Sequence, residues 1–115
     1  MSEEIKILVI GSNGQIGSVL TNALSDKYGS NNVIGSDLKP QKNPTNFIFE
    51  QCSVLDKEKL ETIIHTYKIT DVYLLAACLS AKGEKNIERA WDLNVTGLMH
   101  ILNFAREKKI KKVFW

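Results

Sequence analysis

Gly11-Ser12-Asn13-Gly14-Gln15-Ile16-Gly17 sets three glycines at G-x-x-G-x-x-G spacing, directly after an apolar run and directly before a helical pattern. The chemistry open to these residues is anion binding by main-chain groups. Gly11 permits a tight turn and Gly14 lets the backbone approach a pyrophosphate. Gly17 lets the next helix pack close to a strand, and the first N–H groups of that helix face the anion. Without a ligand the same residues would be a plain glycine turn, and the strand-helix context argues against that. Asp37 closes a second apolar run about 20 residues beyond the last glycine. A carboxylate there can accept both hydroxyls of an adenosine ribose and repels a 2′-phosphate. Lys39 nearby does not replace it, so the pattern predicts NAD and disfavours NADP. A solvated turn residue is the other reading of Asp37.

These residues need a scaffold of alternating strands and helices, and the rest of the chain reads that way. Residues 5–10 are apolar apart from Lys6, as a buried parallel strand is. Ile16, Val19, Leu20, Ala23 and Leu24 recur at helical spacing up to Gly29, predicting a helix with that face buried. Residues 33–37 and 47–49 read as short strands around a loop with Pro40 and Pro44. Asp56 can cap a helix that buries Leu60, Ile63, Ile64 and Tyr67, and residues 71–77 read as a fourth strand. A long helix from near Asn86 carries Ile87, Ala90, Trp91, Asn94, Leu98, Ile101, Leu102 and Ala105 on one stripe. It runs into a basic stretch, and residues 113–115 begin a fifth strand. The alternation predicts an α/β fold, a Rossmann-type doubly wound parallel sheet ordered 3-2-1-4-5.

Composition narrows the partners. The chain has 115 residues, of which 43% are apolar, with 15 Lys+Arg against 13 Asp+Glu for a net charge of +2. This is one globular domain, with neither the charge of a nucleic-acid binder nor the polarity of a disordered chain. Arg106, Lys108, Lys109, Lys111 and Lys112 cluster where they favour a helix C-terminus, and no aromatic residues interleave them for base stacking. Cys52 and Cys78 form no Cys-x-x-Cys pair, and His65 and His100 have no companion ligands in sequence, so no metal site is expected. An acidic N-terminus and the lack of a long apolar run predict a cytoplasmic protein without membrane contact. A buried polar residue such as Asn94 needs a backbone or water partner.

The glycine turn, Asp37, Leu75-Ala76-Ala77 and Asn94 together resemble the extended short-chain dehydrogenase/reductase superfamily. Three further runs are similar to the short-chain type of L-threonine dehydrogenase: residues 79–86, Ala90-Trp91-Asp92-Leu93-Asn94 and residues 108–115. The resemblance implies that Gly11, Asn13, Gly14, Gln15, Ile16 and Gly17 meet the pyrophosphate of NAD. It places Asp37, Leu38 and Lys39 at the adenosine ribose, Ser53 and Val54 at the adenine, and Ala76 and Ala77 at the nicotinamide ribose, with Leu75 and Asn94 also among the cofactor-binding residues and Asn94 mostly structural. Ser80 would face an amino-acid substrate, although a turn residue is an equal reading of it. Many relatives carry Asp where Ser53 stands.

The family's Tyr-x-x-x-Lys pair, acid/base and ribose anchor, has no counterpart here. Tyr28, Tyr67 and Tyr73 are followed at the lysine position by Asn32, Asp71 and Ala77. No catalytic residue is therefore assigned. The resemblance implies that residues 1–115 form the N-terminal NAD-binding domain of a longer NAD-dependent L-threonine 3-dehydrogenase, cut within the fifth strand and inactive alone. Competing readings are a non-catalytic dinucleotide-binding protein and part of a sugar-nucleotide epimerase or dehydratase. An apolar fifth strand at the sheet edge, with Trp91, Leu98 and Leu102 on the long helix, predicts a homo-oligomer.

Overall fold

The computed structural model describes the backbone of residues 4–41, 47–75 and 87–115, and the side chains of these except 87–94. All four residues of β1 (Ile7–Ile10) are buried, the pattern of a strand covered on both faces. It pairs with β2 (Val33–Asp37) on one side and β4 (Asp71–Leu74) on the other. β3 (Ile48–Gln51) extends the sheet beyond β2, and β5 (Lys112–Phe114) extends it beyond β4. All pairings are parallel and the order is β3-β2-β1-β4-β5, the doubly wound topology that the alternation predicts. β1 is the central strand.

Strand ends shift from the sequence reading. Ile5 lies outside β1 and is 39% exposed, because both pairing registers begin at Ile7. Phe47 precedes β3 as a buried plug, packed so close to Gly35 that a Cβ there would sit 2.6 Å from its ring. β4 stops at Leu74, and Ala76 and Ala77, read as part of the strand, lie outside the described residues.

The helices divide between the faces. α1 (Gln15–Tyr28) sends Leu24 against Ile7, Val9, Val33 and Phe47. α2 (Lys57–Thr66) and α3 (Ile87–Arg106) cover the other face, where Leu60, Ile63, Ile64, Ile101 and Phe104 pack on Leu8, Ile10, Ile34 and Val72. Asp56 caps α2 as expected, its carboxylate accepting from the Lys59 N–H at 3.1 Å.

Two predicted helix faces need correction. On α1 the buried residues are Gly17, Thr21, Leu24 and Ser25, while Ile16 and Val19 are 76% and 71% exposed and Ala23 is also exposed. Small residues bring α1 down onto the sheet, and that approach outweighs the pull of the larger apolar side chains. On α3 the described buried positions are Gly97, Ile101 and Phe104; Leu98, Leu102 and Ala105 are half-buried. Among the described side chains of α3 the exposed apolar residues are Val95 and Met99, so they replace Leu98 and Leu102 in its candidate contact surface; the side chain of Trp91 lies outside the described residues.

α2 is tied to the sheet by Tyr67, whose hydroxyl donates to Glu50 Oε2 at 2.7 Å. That bond, with burial, raises the phenol above its ordinary value of 10.0. The folded state thus holds the proton more tightly than the unfolded one, so the bond stabilises fully below pH 10 and its contribution is lost as pH rises through the raised value. Tyr67→Phe is expected to cost about 1 kcal/mol at neutral pH, with the gap closing in alkaline solution. Urea unfolding of both proteins across that range checks it.

Candidate functional site

The site residues gather at the C-terminal ends of the strands, beside β1, where the chain turns to β2 on one side and β4 on the other. This reversal leaves a crevice in open α/β sheets. Gly11 leaves β1 with φ +98°, a conformation that glycine adopts freely. Its N–H and that of Ser12 both donate to the Ser36 carbonyl, at 2.7 and 3.0 Å, and Ser12 Oγ reaches the same oxygen at 3.3 Å. The glycine turn is thereby hung on the end of β2.

Gly14 is the N-cap of α1, with extended backbone and no side-chain cap, and the first turn carries no acidic residue. No acidic side chain within that turn competes for the leading N–H groups, and the Gly14 N–H donates to the Gly11 carbonyl at 3.3 Å. A Cβ on Gly14 would meet only the Gly11 carbonyl oxygen within 4 Å, at an ordinary contact distance of 3.6 Å, so this position is otherwise open. Gly17 differs: a Cβ there would lie 2.0 Å from that oxygen, so its role is contact between α1 and the turn. Gln15 and Ile16 are exposed.

Asp37 ends β2 half-buried, and both its carboxylate oxygens are fixed. Oδ2 accepts from the Asn13 N–H at 3.0 Å and Oδ1 from the Leu38 N–H at 2.7 Å. The remaining lone pairs can accept further donors. Leu38 and Lys39 follow on the exposed surface, and Gln51 Nε2 donates to the Leu38 carbonyl at 3.0 Å. A pyrophosphate on the helix start and a ribose on a fixed carboxylate are compatible with this arrangement, so the residues fit a dinucleotide.

Across β2, Ser53 is half-buried with Oγ accepting from the Leu55 N–H at 3.2 Å, and Val54 is buried. Two residues that hold this turn have no role in the sequence reading. A Cβ on Gly97 would come within 2.7 Å of Val54 Cγ2, and His100 Nδ1 lies 3.2 Å from the Val54 carbonyl. A glycine inside a 20-residue helix is the available signal, since it costs about 1 kcal/mol relative to alanine and so implies close packing. Leu75, half-buried, donates its N–H to the Ile10 carbonyl at 2.8 Å and so sits beside the glycine turn. Ala76, Ala77 and Ser80 lie outside the described residues, as does the side chain of Asn94 on α3.

Most of the remaining ionisable groups with shifted behaviour lie away from this crevice, Cys52 beside Ser53 excepted. A hollow of about 760 Å³ opens at the opposite edge of the sheet, lined by Glu61, His65, Lys68 and Lys109 among others. Lys109 Nζ donates to Glu61 Oε1 at 2.6 Å, which holds that carboxyl below its ordinary range and raises the ammonium. Burial raises the Cys52 thiol. Among the described residues no three His, Cys, Asp or Glu side chains converge, and no helix is long and apolar enough to cross a membrane.

Order, crossover faces and glycine turn define an open α/β sheet of the doubly wound nucleotide-binding class. Residues 7–115 match the NAD dependent epimerase/dehydratase family, and the chain belongs to it. It is 38% identical over 109 residues to an uncharacterized epimerase/dehydratase of Staphylococcus saprophyticus, covering 92% of this chain and 34% of that protein. Among solved structures, the holo form of an L-threonine dehydrogenase from Cupriavidus necator superposes with TM-score 0.90 at 46% identity, covering 96% of this chain and 36% of that one. A UDP-glucose 4-epimerase from Thermotoga maritima, solved with UDP-glucose, gives 0.81 at 29% identity, covering 95% and 36%. The chain therefore spans about a third of the length of the relatives it matches.

Proposed function

We infer that this chain binds NAD at the C-terminal edge of its sheet, as the N-terminal cofactor-binding domain, residues 1–115, of an oxidoreductase acting on the 3-hydroxyl of L-threonine to give 2-amino-3-oxobutanoate. The observation that carries the reading is the Asp37 carboxylate, held by two main-chain N–H groups beside the glycine turn. NAD, when bound, supplies the hydride acceptor. Gly11, Gly14, Gln15 and Ile16 hold its pyrophosphate on a helix start that Gly17 packs against the turn; Asp37, Leu38 and Lys39 hold the adenosine ribose. Ser53 and Val54 flank the adenine, Leu75, Ala76, Ala77 and Asn94 border the nicotinamide end, and Ser80 faces the substrate.

Threonine is favoured over a nucleotide sugar by the 46% identity to a threonine dehydrogenase against 29% to an epimerase. The absence of Tyr-x-x-x-Lys supports a second reading, in which these residues bind the dinucleotide without turnover. Self-association through β5 with its exposed Phe114, through the exposed Trp115 that follows it, and through Val95 and Met99 of α3 belongs to the same proposal, as does a reducing, cytoplasmic setting.

Calorimetric titration tests it. NAD is expected to bind more tightly than NADP, and Asp37→Ala to weaken NAD by roughly 1–3 kcal/mol through lost charge-assisted hydrogen bonds. NADP binding tenfold tighter than NAD would overturn the role of Asp37. NADH formed from L-threonine by these residues alone would overturn the division between binding and turnover.

A further inference from the structure

Asn13 sits inside the glycine turn, yet both its main-chain N–H and its side-chain NH₂ are directed at the protein. Its main-chain N–H donates to Asp37 Oδ2 at 3.0 Å. Its side-chain Nδ2 lies 3.0 Å from the Lys39 carbonyl and 3.4 Å from that of Pro40. Both neighbours are acceptors, so the NH₂ group must face them; the reversed amide would set oxygen against two oxygens. One exposed residue thus ties the phosphate-facing turn to the segment that follows the ribose-facing carboxylate.

We propose that Asn13 is a positioning residue for the adenosine 2′-hydroxyl: it struts the glycine turn against residues 38–40 and so fixes the direction in which Asp37 presents its free lone pairs. This rests on the dinucleotide reading of the site. Asp37 is the last residue of β2, and beyond it the chain leaves the ladder. The Cys52 N–H holds the Asp37 carbonyl at 2.9 Å and Gln51 Nε2 the Leu38 carbonyl at 3.0 Å, both from the β3 side. Among these contacts Asn13 alone pulls from the side of the glycine turn. With its amide removed, the 38–40 segment loses its tie to the turn; the Leu38 N–H that holds Oδ1 moves with that segment, and only the Asn13 N–H still fixes the carboxylate, on Oδ2.

The test compares NAD with its 2′-deoxyadenosine analogue, by calorimetry on the full chain and on Asn13→Ala and Asn13→Asp. The aspartate keeps the shape but turns an oxygen towards the two carbonyls. The ratio of the two affinities reads the carboxylate–hydroxyl bond and cancels any general loosening. The unsubstituted chain is expected to prefer NAD about tenfold or more, the strength of a hydrogen bond to a charged group. Both variants are expected to reduce the preference to about threefold or less, because NAD loses more affinity than the deoxy analogue does. A preference unchanged in either folded variant, or equal weakening of both ligands, overturns the strut. No NAD binding, or no preference, in the unsubstituted chain overturns the dinucleotide reading itself and the strut with it.

Discussion

Gly17→Ala is expected to cost about 3 kcal/mol or more, a large part of the stability of a domain this size. The added methyl would stand 2.0 Å from the Gly11 carbonyl oxygen, 2.9 Å from its carbon and 3.1 Å from Ser12 Cα. All three are main-chain atoms, and Gly11 and Ser12 are pinned to Ser36. The clash is relieved only by lifting α1 off the sheet, which uncovers Leu24 and the residues beneath it. Gly14→Ala is the control. Its methyl meets ordinary contact at 3.6 Å and φ of −70° suits any residue, so only the weaker N-cap preference of alanine is lost, about 1 kcal/mol. The two substitutions separate the glycine that lets the helix pack from the glycine proposed to face the anion. In urea, Gly17→Ala should unfold far earlier than Gly14→Ala. In titration, Gly14→Ala should lose the dinucleotide while remaining folded. Equal stability of the two variants would show that α1 can shift without cost.

Phe104→Ala is the second large effect, about 3–5 kcal/mol. The ring is fully buried on α3, in the cluster with Leu60, Ile63, Val72 and Ile101. Lys109 Nζ lies 5.7 Å from its centroid, above the ring. Truncation leaves a cavity between α3 and the sheet where no neighbouring main chain can follow. Leu102, two positions away and half-buried, should lose only about half as much when replaced by alanine. Denaturant midpoints of the pair therefore report which face of α3 meets the sheet. A larger loss for Leu102→Ala would restore the stripe drawn from sequence spacing.

That contrast shows where sequence reasoning succeeds and where it stops. The strand order follows from the alternation of short apolar runs with helical spacing, because parallel strands need a crossover between each pair. The position of Asp37, at the end of β2 beside the glycine turn, is legible because its distance from the glycines is set by the length of one helix and one strand. The inward face of α1 was not visible, since apolar spacing picks out Ile16 and Val19, whereas Gly17, Thr21 and Ser25 are buried for their smallness. Thr21 Oγ1 satisfies itself on the Gly17 carbonyl at 2.5 Å, so a polar residue is accommodated in the contact. The contacts of Gly97 and His100 with Val54, and the reach of Asn13 to Lys39 and Pro40, join segments distant along the chain. They exist only once the sheet has brought those segments together.

The central place of β1 has a consequence for biosynthesis. Ile7–Ile10 pairs with residues 33–36 on one edge and with residues 71–74 on the other, and the Lys6 N–H closes on Thr70 Oγ1 across a separation of 64 residues. A chain emerging from the ribosome can close its first crossover early. Until β4 is out, however, the most apolar strand of the protein keeps one edge open to any other strand nearby. Entropy opposes so long a loop closure before its contacts reward it, so this step should set the pace of folding and mark the interval in which a holding chaperone is of most use.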